Sequence, residues 1–135
     1  MDRISFEDYF MNIAHQVKLR SPDITKVGAV IVSIKNNTII SSGYNGFPRN
    51  CNDNIDFSDR DLVHSLIIHA EMNAILYAQS RFEDSVMYIT LSPCSQCIKL
   101  IAAANIKKIY YNTEYKDIFK VKELCEYFKI ELIKM

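Results

Sequence analysis

The sequence predicts an α/β fold: a three-layer α/β/α sandwich built on a mixed five-stranded sheet. One leading helix is followed by elements in the order β-β-α-β-α-β-α-β, which is typical of helices packed on both faces of a sheet. The later strands are each separated by a helix, so we expect them to run parallel through right-handed crossovers. The 135 residues suit one domain spanning 1–135.

The N-terminal elements are predicted to be a helix and a hairpin. Ser5 is a good helix cap, and apolar residues then recur at helical spacing until the helix ends near Arg20. Residues 27–34 are almost continuously apolar and β-branched, as expected for a strand covered on both faces. A short turn separates this strand from its hairpin partner at 38–43.

The remaining elements alternate between helix and strand. The loop 43–48 holds two glycines and a proline, and the polar stretch 49–60, rich in Asp and Asn, predicts a surface loop. The later elements are expected as helices at 69–79, 95–104 and 117–129 and as strands at 86–90, 108–112 and 130–133.

Composition and charge favour some classes of function over others. Sixteen basic residues balance sixteen acidic ones. Nucleic-acid binders usually carry a basic excess, so neutrality favours a small-molecule substrate and no nucleic-acid partner. No apolar run approaches the ~20 residues that span a bilayer, and no secretion signal is visible. We therefore expect a soluble cytoplasmic protein without a membrane partner, located in the host cytoplasm if a virus encodes it.

Four cysteines are present, and two of them form a Cys-x-x-Cys pair at Cys94 and Cys97. In an intracellular protein this spacing is typical of a metal site or a redox motif. Cys125 falls on the apolar face of the last predicted helix and is expected in the core. Cys51 lies in the polar stretch and is expected to be partly exposed.

A second motif favours the metal site. His69 and Glu71 begin a predicted helix, as Cys94 and Cys97 do, and ligands of open α/β sheets bind where strands lead into such helices. One imidazole and two thiolates match a catalytic Zn²⁺ site with an open fourth position. Glu71 is close enough to move protons to and from a water there without binding the ion. A redox pair would explain neither His69 nor Glu71.

Less specific interpretations remain open. A structural zinc site would need a fourth ligand, for which Cys51, His64 and Cys125 are candidates, but it gives Glu71 no role. A zinc-stabilised binding module without catalysis is the alternative from a different functional class. His64 is otherwise most simply a loop residue. Four basic residues could be surface charges or, with the loop 43–48, could hold phosphate: Lys18, Arg20, Lys26 and Arg49.

Five segments together resemble the deoxycytidylate (dCMP) deaminase family. His-x-Glu with a later Pro-Cys-x-x-Cys is the signature of zinc deaminases in general. The Gly-Tyr-Asn-Gly segment and the Glu-Met-Asn-Ala-Ile continuation point to the dCMP branch. The resemblance covers about residues 20–115, through Arg-Ser-Pro-Asp at 20–23, Val-Gly-Ala-Val-Ile-Val at 27–32, Gly-Tyr-Asn-Gly-Phe-Pro at 43–48, His-Ala-Glu-Met-Asn-Ala-Ile at 69–75 and Leu-Ser-Pro-Cys-Ser-Gln-Cys at 91–97.

The resemblance implies a cytidine deaminase-like sheet of order 2-1-3-4-5 and hydrolysis of dCMP to dUMP and ammonia, which feeds thymidylate synthesis. It implies one Zn²⁺ on His69, Cys94 and Cys97, with Glu71 as the catalytic proton shuttle. It also implies that the substrate is bound by Asn45, Ala70, Ser92 and Tyr115. Lys26 is added to this set as a candidate phosphate contact.

The resemblance also implies regulation and assembly. Family members are typically oligomers, often homohexamers, that dCTP activates and dTTP inhibits, with Mg²⁺ on the triphosphate. The implied allosteric residues are Arg20, Gly43, Tyr44, Asn45 and Gly46. The segment between Ser21 and Val27 is about one residue shorter than the family pattern. A tRNA adenosine deaminase and a free cytosine or cytidine deaminase share the zinc motif and are the alternative enzymes.

Overall fold

A mixed five-stranded sheet lies at the centre of the computed structural model, which describes residues 2–79 and 84–135. Its strands are β1 (Gly28–Ser33), β2 (Thr38–Tyr44), β3 (Ser85–Leu91), β4 (Lys108–Thr113) and β5 (Glu131–Lys134). The helices are α1 (Phe6–Lys18), α2 (Arg60–Leu66), α3 (Ala70–Leu76), α4 (Ser95–Ala103) and α5 (Ile118–Phe128).

The order of the strands is β2-β1-β3-β4-β5, which confirms the expected topology. β1 pairs antiparallel with both β2 and β3. β3 pairs parallel with β4, and β4 pairs parallel with β5. Helices α4 and α5 make the two crossovers between the parallel strands. The carboxyl ends of the parallel strands therefore lie together, at the edge of the sheet where α4 begins.

Alternate residues of β1 pack into two separate cores, as predicted for a strand covered on both faces. Ala29 and Ile31 are fully buried in the core that includes residues of α3, α4 and α5. Val30 and Val32 are buried on the other face, against α1. Each such aliphatic side chain contributes about 1.5–3 kcal/mol when it is removed from water. Within the described residues, no helix has both the length and the apolar character to cross a bilayer.

One helix was not predicted. The polar stretch is irregular up to Asp59, and α2 begins at the next residue, Arg60. The carboxylate of Asp59 caps α2 by accepting a hydrogen bond from the amide of Leu62 at 3.2 Å. Val63 is fully buried and attaches this short helix to the body of the protein. His64 is therefore a helical residue and not a loop residue.

Gly43 is required by the close packing of β2 on α3. A Cβ atom at Gly43 would lie 2.5 Å from the carbonyl oxygen of Ala70, which belongs to the first residue of α3. We expect Gly43→Ala to lower the free energy of unfolding by about 1–3 kcal/mol, measured by urea denaturation. Gly46→Ala is the matched control, since its Cβ would meet only side-chain atoms of Tyr44 and Pro22 at 3.4 Å or more. Equal effects in both variants would contradict this explanation.

Candidate active site

Three metal-ligating side chains meet where α3 and α4 begin. His69 is the N-cap residue of α3, and Cys94 is the N-cap residue of α4. Cys97 lies in the first turn of α4, so the Cys-x-x-Cys spacing turns both sulfurs to the same side. His69 Nδ1 is 3.1 Å from Cys97 Sγ and 3.5 Å from Cys94 Sγ. One ligand atom from each residue lies within 4.8 Å of the others.

The chemistry of these donors fits Zn²⁺. Imidazole nitrogen and thiolate sulfur are its preferred ligands, and three protein ligands leave one position open. A hydrogen bond from Cys97 lowers the pKa of the Cys94 thiol to about 4 despite its partial burial, so this sulfur is a thiolate at neutral pH. The backbone amide of Cys97 also donates to Cys94 Sγ, at 3.4 Å. The site therefore favours a thiolate at Cys94 even without the added charge of an ion, whereas the contact with Cys94 raises the pKa of the Cys97 thiol.

The described residues supply no fourth protein ligand. The group of neighbouring donors contains His69, Cys94 and Cys97 alone. Cys125 is buried in the core, as predicted. Cys51 is partly exposed, also as predicted, and lines a different cavity. His64 lines the same cavity as His69 but does not belong to the donor group. A closed structural site thus finds no support in this geometry.

Glu71 is a buried carboxylate beside the donor group. It is the second residue of α3 and only 4% exposed, although it is charged in free solution. Burial raises its pKa to about 7, an effect that the nearby His69 partly offsets. Glu71 is not a member of the donor group. A carboxyl group that binds no metal and titrates near neutral pH is suited to proton transfer.

A cavity of about 120 Å³ opens over this centre. Its lining combines metal-ligating, apolar and polar side chains, which is typical of a small-molecule site. The lining residues are Asp23, Thr25, Val27, Asn45, Arg60, His64, Ile67, His69, Ala70, Glu71, Leu91, Ser92, Cys94 and Tyr115.

Four of the predicted substrate contacts line this cavity: Asn45, Ala70, Ser92 and Tyr115. Ser92 is fixed at the end of β3, where its hydroxyl oxygen accepts a hydrogen bond from the amide of Tyr115 at 2.7 Å. Lys26 does not line the cavity. Its side chain is exposed, and its ammonium group donates a hydrogen bond to the carbonyl of Ser21.

The amide of Asn45 is engaged with the backbone of the neighbouring loop. Its Oδ1 accepts from the amide of Val27 at 2.8 Å, and its Nδ2 donates to the carbonyl of Thr25 at 2.7 Å. Both partners lie in the segment before β1 that lines the cavity. Asn45 therefore shapes the wall of the cavity by holding this segment in place.

A second cavity, of about 550 Å³, lies on the other side of the loop 43–48. Four of the predicted allosteric residues line it: Arg20, Gly43, Tyr44 and Gly46. Asn45, the fifth, lines the first cavity instead. Asn73 of α3 also lines the second cavity, and its Nδ2 donates to the carbonyl of Tyr44 at 2.9 Å. The loop 43–48 thus forms part of the wall of both cavities.

Sequence reasoning missed the role of Asp117 at the start of α4. Its Oδ2 accepts a hydrogen bond at 3.0 Å from the amide of Ser95, the residue next to Cys94. The two residues are 22 positions apart, so no local pattern indicates the contact. The sequence offers one signal, which is that Asp117 is an acidic residue at the predicted start of the last helix. That position suggests that Asp117 caps α5, and it does not indicate a contact with α4.

We expect Asp117→Ala to weaken zinc binding about 10-fold, because the turn that carries Cys94 loses its support. Asp117→Asn keeps an acceptor oxygen and should retain most of the affinity. The measurement is the transfer of zinc to a chromophoric chelator, with Lys116→Ala as a neighbouring control. Identical zinc affinities for wild type and Asp117→Ala would contradict this role.

Three features together define a class of protein: the strand order of the sheet, the His-x-Glu motif at the start of α3 and the Cys-x-x-Cys motif at the start of α4. This class is the zinc-binding nucleotide and nucleobase deaminase domains. The chain belongs to the cytidine and deoxycytidylate deaminase family, since the model of that family's zinc-binding region matches residues 4–113. The match contains all four residues of the centre: His69, Glu71, Cys94 and Cys97.

Two individual relatives indicate a particular branch of this family. A probable deoxycytidylate deaminase of Caenorhabditis elegans is 41% identical over 108 residues, which are 76% of this chain and 54% of that protein. The deoxycytidylate deaminase of Mus musculus is 36% identical over 125 residues, 86% of this chain and 70% of the relative. This chain therefore spans about half of the nematode protein's length.

A solved structure matches over the full length of both chains. It is the dCMP deaminase of the cyanophage S-TIM5 in complex with dCMP and dUMP, with a TM-score of 0.85 and 27% sequence identity. It covers 100% of this chain and 100% of the phage chain. The three-layer α/β/α fold predicted from the sequence is thus the fold of this phage dCMP deaminase.

Proposed function

We propose that this protein catalyses the hydrolytic deamination of dCMP to dUMP, releasing ammonia and supplying dUMP for thymidylate synthesis. The observation that carries the proposal is the position of Glu71, a buried carboxylate in the same cavity as His69 and Cys94 but outside the ligand group. The relatives named as deoxycytidylate deaminases support dCMP as the substrate. So does the dCMP- and dUMP-bound phage enzyme.

Zinc and Glu71 have separate roles in the proposed reaction. Zinc, when bound by His69, Cys94 and Cys97, supplies Lewis-acid activation of water. Glu71 takes a proton from the attacking water, delivers it to the ring nitrogen and then helps to protonate the departing amine. Water contributes the oxygen that replaces the amine on the ring carbon, so the products are dUMP and ammonia.

The remaining lining residues hold the substrate. We propose that backbone groups at Ala70 and Ser92 bind the edge of the base, that Asn45 faces the sugar, and that Tyr115 closes the pocket. All four line the cavity. Val27 and Leu91 provide apolar surface for the ring. The side-chain amide of Asn45 is already hydrogen-bonded to the backbone, so its effect on the sugar includes the loop that it holds.

The proposal is tested by incubating zinc-loaded protein separately with dCMP, CMP, deoxycytidine, dCTP and a tRNA anticodon stem-loop while ammonia release is followed. We expect selective turnover of dCMP. Turnover of CMP, deoxycytidine or the stem-loop in preference to dCMP would retain the zinc chemistry and overturn the substrate. Stoichiometric zinc without turnover of any compound would support the non-catalytic binding module instead.

We further propose that dCTP activates and dTTP inhibits the enzyme from the second cavity, with Mg²⁺ on the triphosphate. Arg20 and Arg49 line this cavity and supply positive charge for phosphates. The loop that it shares with the first cavity gives a direct route for coupling. At subsaturating dCMP, dCTP should raise the rate and dTTP should lower it, and Arg20→Gln should diminish both responses. Unchanged responses in this variant would exclude the site.

We propose a homohexamer in the cytoplasm, where a free nucleotide substrate is available. Phe119 and Tyr127 on α5 are 82% and 77% exposed, and such apolar surface is available for self-association. Light scattering coupled to size exclusion measures the assembly directly. A monomer at micromolar concentration would overturn this part of the proposal.

A further inference from the structure

Helix α3 carries Glu71 and begins directly after His69, but it is only two turns long. It spans the seven residues Ala70–Leu76. Helices this short have little stability of their own in water, so tertiary contacts decide where they lie. The position of the Glu71 carboxyl group therefore depends on the contacts that hold α3 against the rest of the protein.

Asn73 connects α3 to the loop 43–48. It lies one helical turn after His69, whose carbonyl accepts a hydrogen bond from the Asn73 amide at 3.0 Å. The side-chain Nδ2 of Asn73 donates to the carbonyl of Tyr44 at 2.9 Å and to the carbonyl of Ile68 at 3.5 Å. Ile68 immediately precedes His69. One side-chain amide thus contacts the loop on one side and the chain that enters α3 on the other.

The same two segments also pair through their backbones. Gly46 and Ile68 form an isolated antiparallel bridge. The amide of Gly46 donates to the carbonyl of Ile68 at 3.1 Å, and the amide of Ile68 donates to the carbonyl of Gly46 at 2.8 Å. Asn73 reinforces this bridge, because it donates to a carbonyl on each of the two segments. The entry to α3 is therefore fixed by the backbone bridge and by the Asn73 side chain together.

The loop has a separate attachment on the side of the first cavity. Ser21 Oγ donates to the carbonyl of Asn45 at 2.7 Å. The side-chain amide of Asn45 accepts from the amide of Val27 and donates to the carbonyl of Thr25. None of these bonds involves α3. Loss of the Asn73 contact should therefore leave the loop on the wall of the first cavity and loosen α3 instead.

We propose that Asn73 is a positioning residue for the catalytic step, because it holds the start of α3 on the loop and so places Glu71 relative to the metal centre. This inference rests on the proposed deamination, in which Glu71 moves the proton. Proton transfer needs the reacting groups within hydrogen-bond distance, and a misplacement of about 1 Å can cost about 100-fold in rate. Asn73 lines the second cavity and is not among the described lining residues of the first. It therefore acts on the rate and not on the binding of dCMP.

Ser41 provides a matched control, because its side chain also donates a hydrogen bond to α3. Ser41 Oγ donates to the carbonyl of Ala74 at 2.6 Å. Asn73→Ala and Ser41→Ala each remove part-buried hydrogen bonding from a side chain to the backbone, so both should lower the urea midpoint of unfolding. The Ser41 bond lies near the C-terminal end of α3, whereas Asn73 also reaches the chain that enters the helix at Ile68.

The test compares kcat and KM for dCMP in zinc-loaded wild type, Asn73→Ala, Asn73→Asp and Ser41→Ala, with kcat expressed per bound zinc ion. We expect Asn73→Ala to lower kcat about 10-fold and to change KM by less than about 2-fold. Asn73→Asp keeps the shape of the side chain but has no N–H to donate, so it should lose at least as much. Ser41→Ala should keep the wild-type kcat. An unchanged kcat in Asn73→Ala, a loss confined to KM, or an equal loss of kcat in Ser41→Ala would overturn the inference.

Hydrogen exchange separates this inference from the proposed reaction, because it needs no turnover. Deuterium uptake is followed by mass spectrometry in the same zinc-loaded proteins. Peptides that cover 67–76 should exchange faster in Asn73→Ala than in wild type, because local opening of α3 becomes easier. Peptides that cover 21–27 should keep their wild-type exchange. If wild type does not convert dCMP but this pattern is found, the proposed reaction fails and the positioning of α3 by Asn73 stands. Unchanged exchange at 67–76 in Asn73→Ala would overturn the inference whether or not wild type converts dCMP.

Discussion

Replacing Glu71 by glutamine is expected to abolish turnover while one zinc ion stays bound. The amide has nearly the same shape as the carboxyl group but cannot take up and release the proton that the reaction requires. Removal of a general acid–base group costs about 10²- to 10⁴-fold in rate. Ammonia release from dCMP measures the loss, and atomic absorption measures the zinc. Because Glu71 is buried, its neutral replacement should not destabilise the fold.

The matched control is Glu126→Gln, which changes an exposed carboxylate on α5 in the same way. It should keep the wild-type rate. Retention of activity in Glu71→Gln would show that another group moves the proton. Loss of zinc together with activity would show that Glu71 supports the metal site instead of the chemistry.

Cys97→Ala should remove the metal and the activity together. Cys97 is fully buried beside His69, and the remaining two donors cannot hold Zn²⁺ at the affinity of three. Loss of supporting partners alone costs 10- to 100-fold in metal affinity, so we expect the loss of a ligand to exceed about 100-fold. Zinc content after dialysis against a weak chelator measures this directly.

Cys125→Ala is the control for the chemistry of a buried thiol. This residue is also buried, but it packs in the core that includes α5 and lies outside the donor group. The variant should lose some stability and keep one zinc ion per chain. A full complement of zinc in Cys97→Ala would contradict the assigned ligand set.

Much of the fold was predictable because its signals are local. The β-branched run that became β1 and the helical spacing of α1 and α5 each depend on neighbours in the sequence. The Cys-x-x-Cys motif was equally clear, since residues three positions apart at the start of a helix lie on the same side. The strand order came from the family resemblance, and the structure confirms it.

The rim of the cavity was not predictable in the same way. Helix α2 lies at the end of an Asp- and Asn-rich stretch, and its seven residues give too short a pattern to recognise. Arg60 finds its partner Asp23 at a separation of 37 positions, which only tertiary structure creates. Lys26 was chosen for its charge, but a backbone carbonyl near in sequence takes up its ammonium group.

The loop 43–48 shows a further limit. Successive residues of an extended segment point to opposite sides, so neighbours in one motif serve different cavities. Tyr44 and Gly46 line the second cavity, whereas Asn45 between them lines the first. The sequence shows the motif as one unit. Only the structure separates its two faces.

The most direct test of the central claim is a zinc titration of metal-free protein with dCMP present. Zinc is added in steps, and the conversion of dCMP to dUMP and ammonia is followed at each step. We predict no conversion before zinc is added and a linear rise that ends at one ion per chain. Full activity in the metal-free protein, or binding of one zinc ion without any dUMP, would contradict the account.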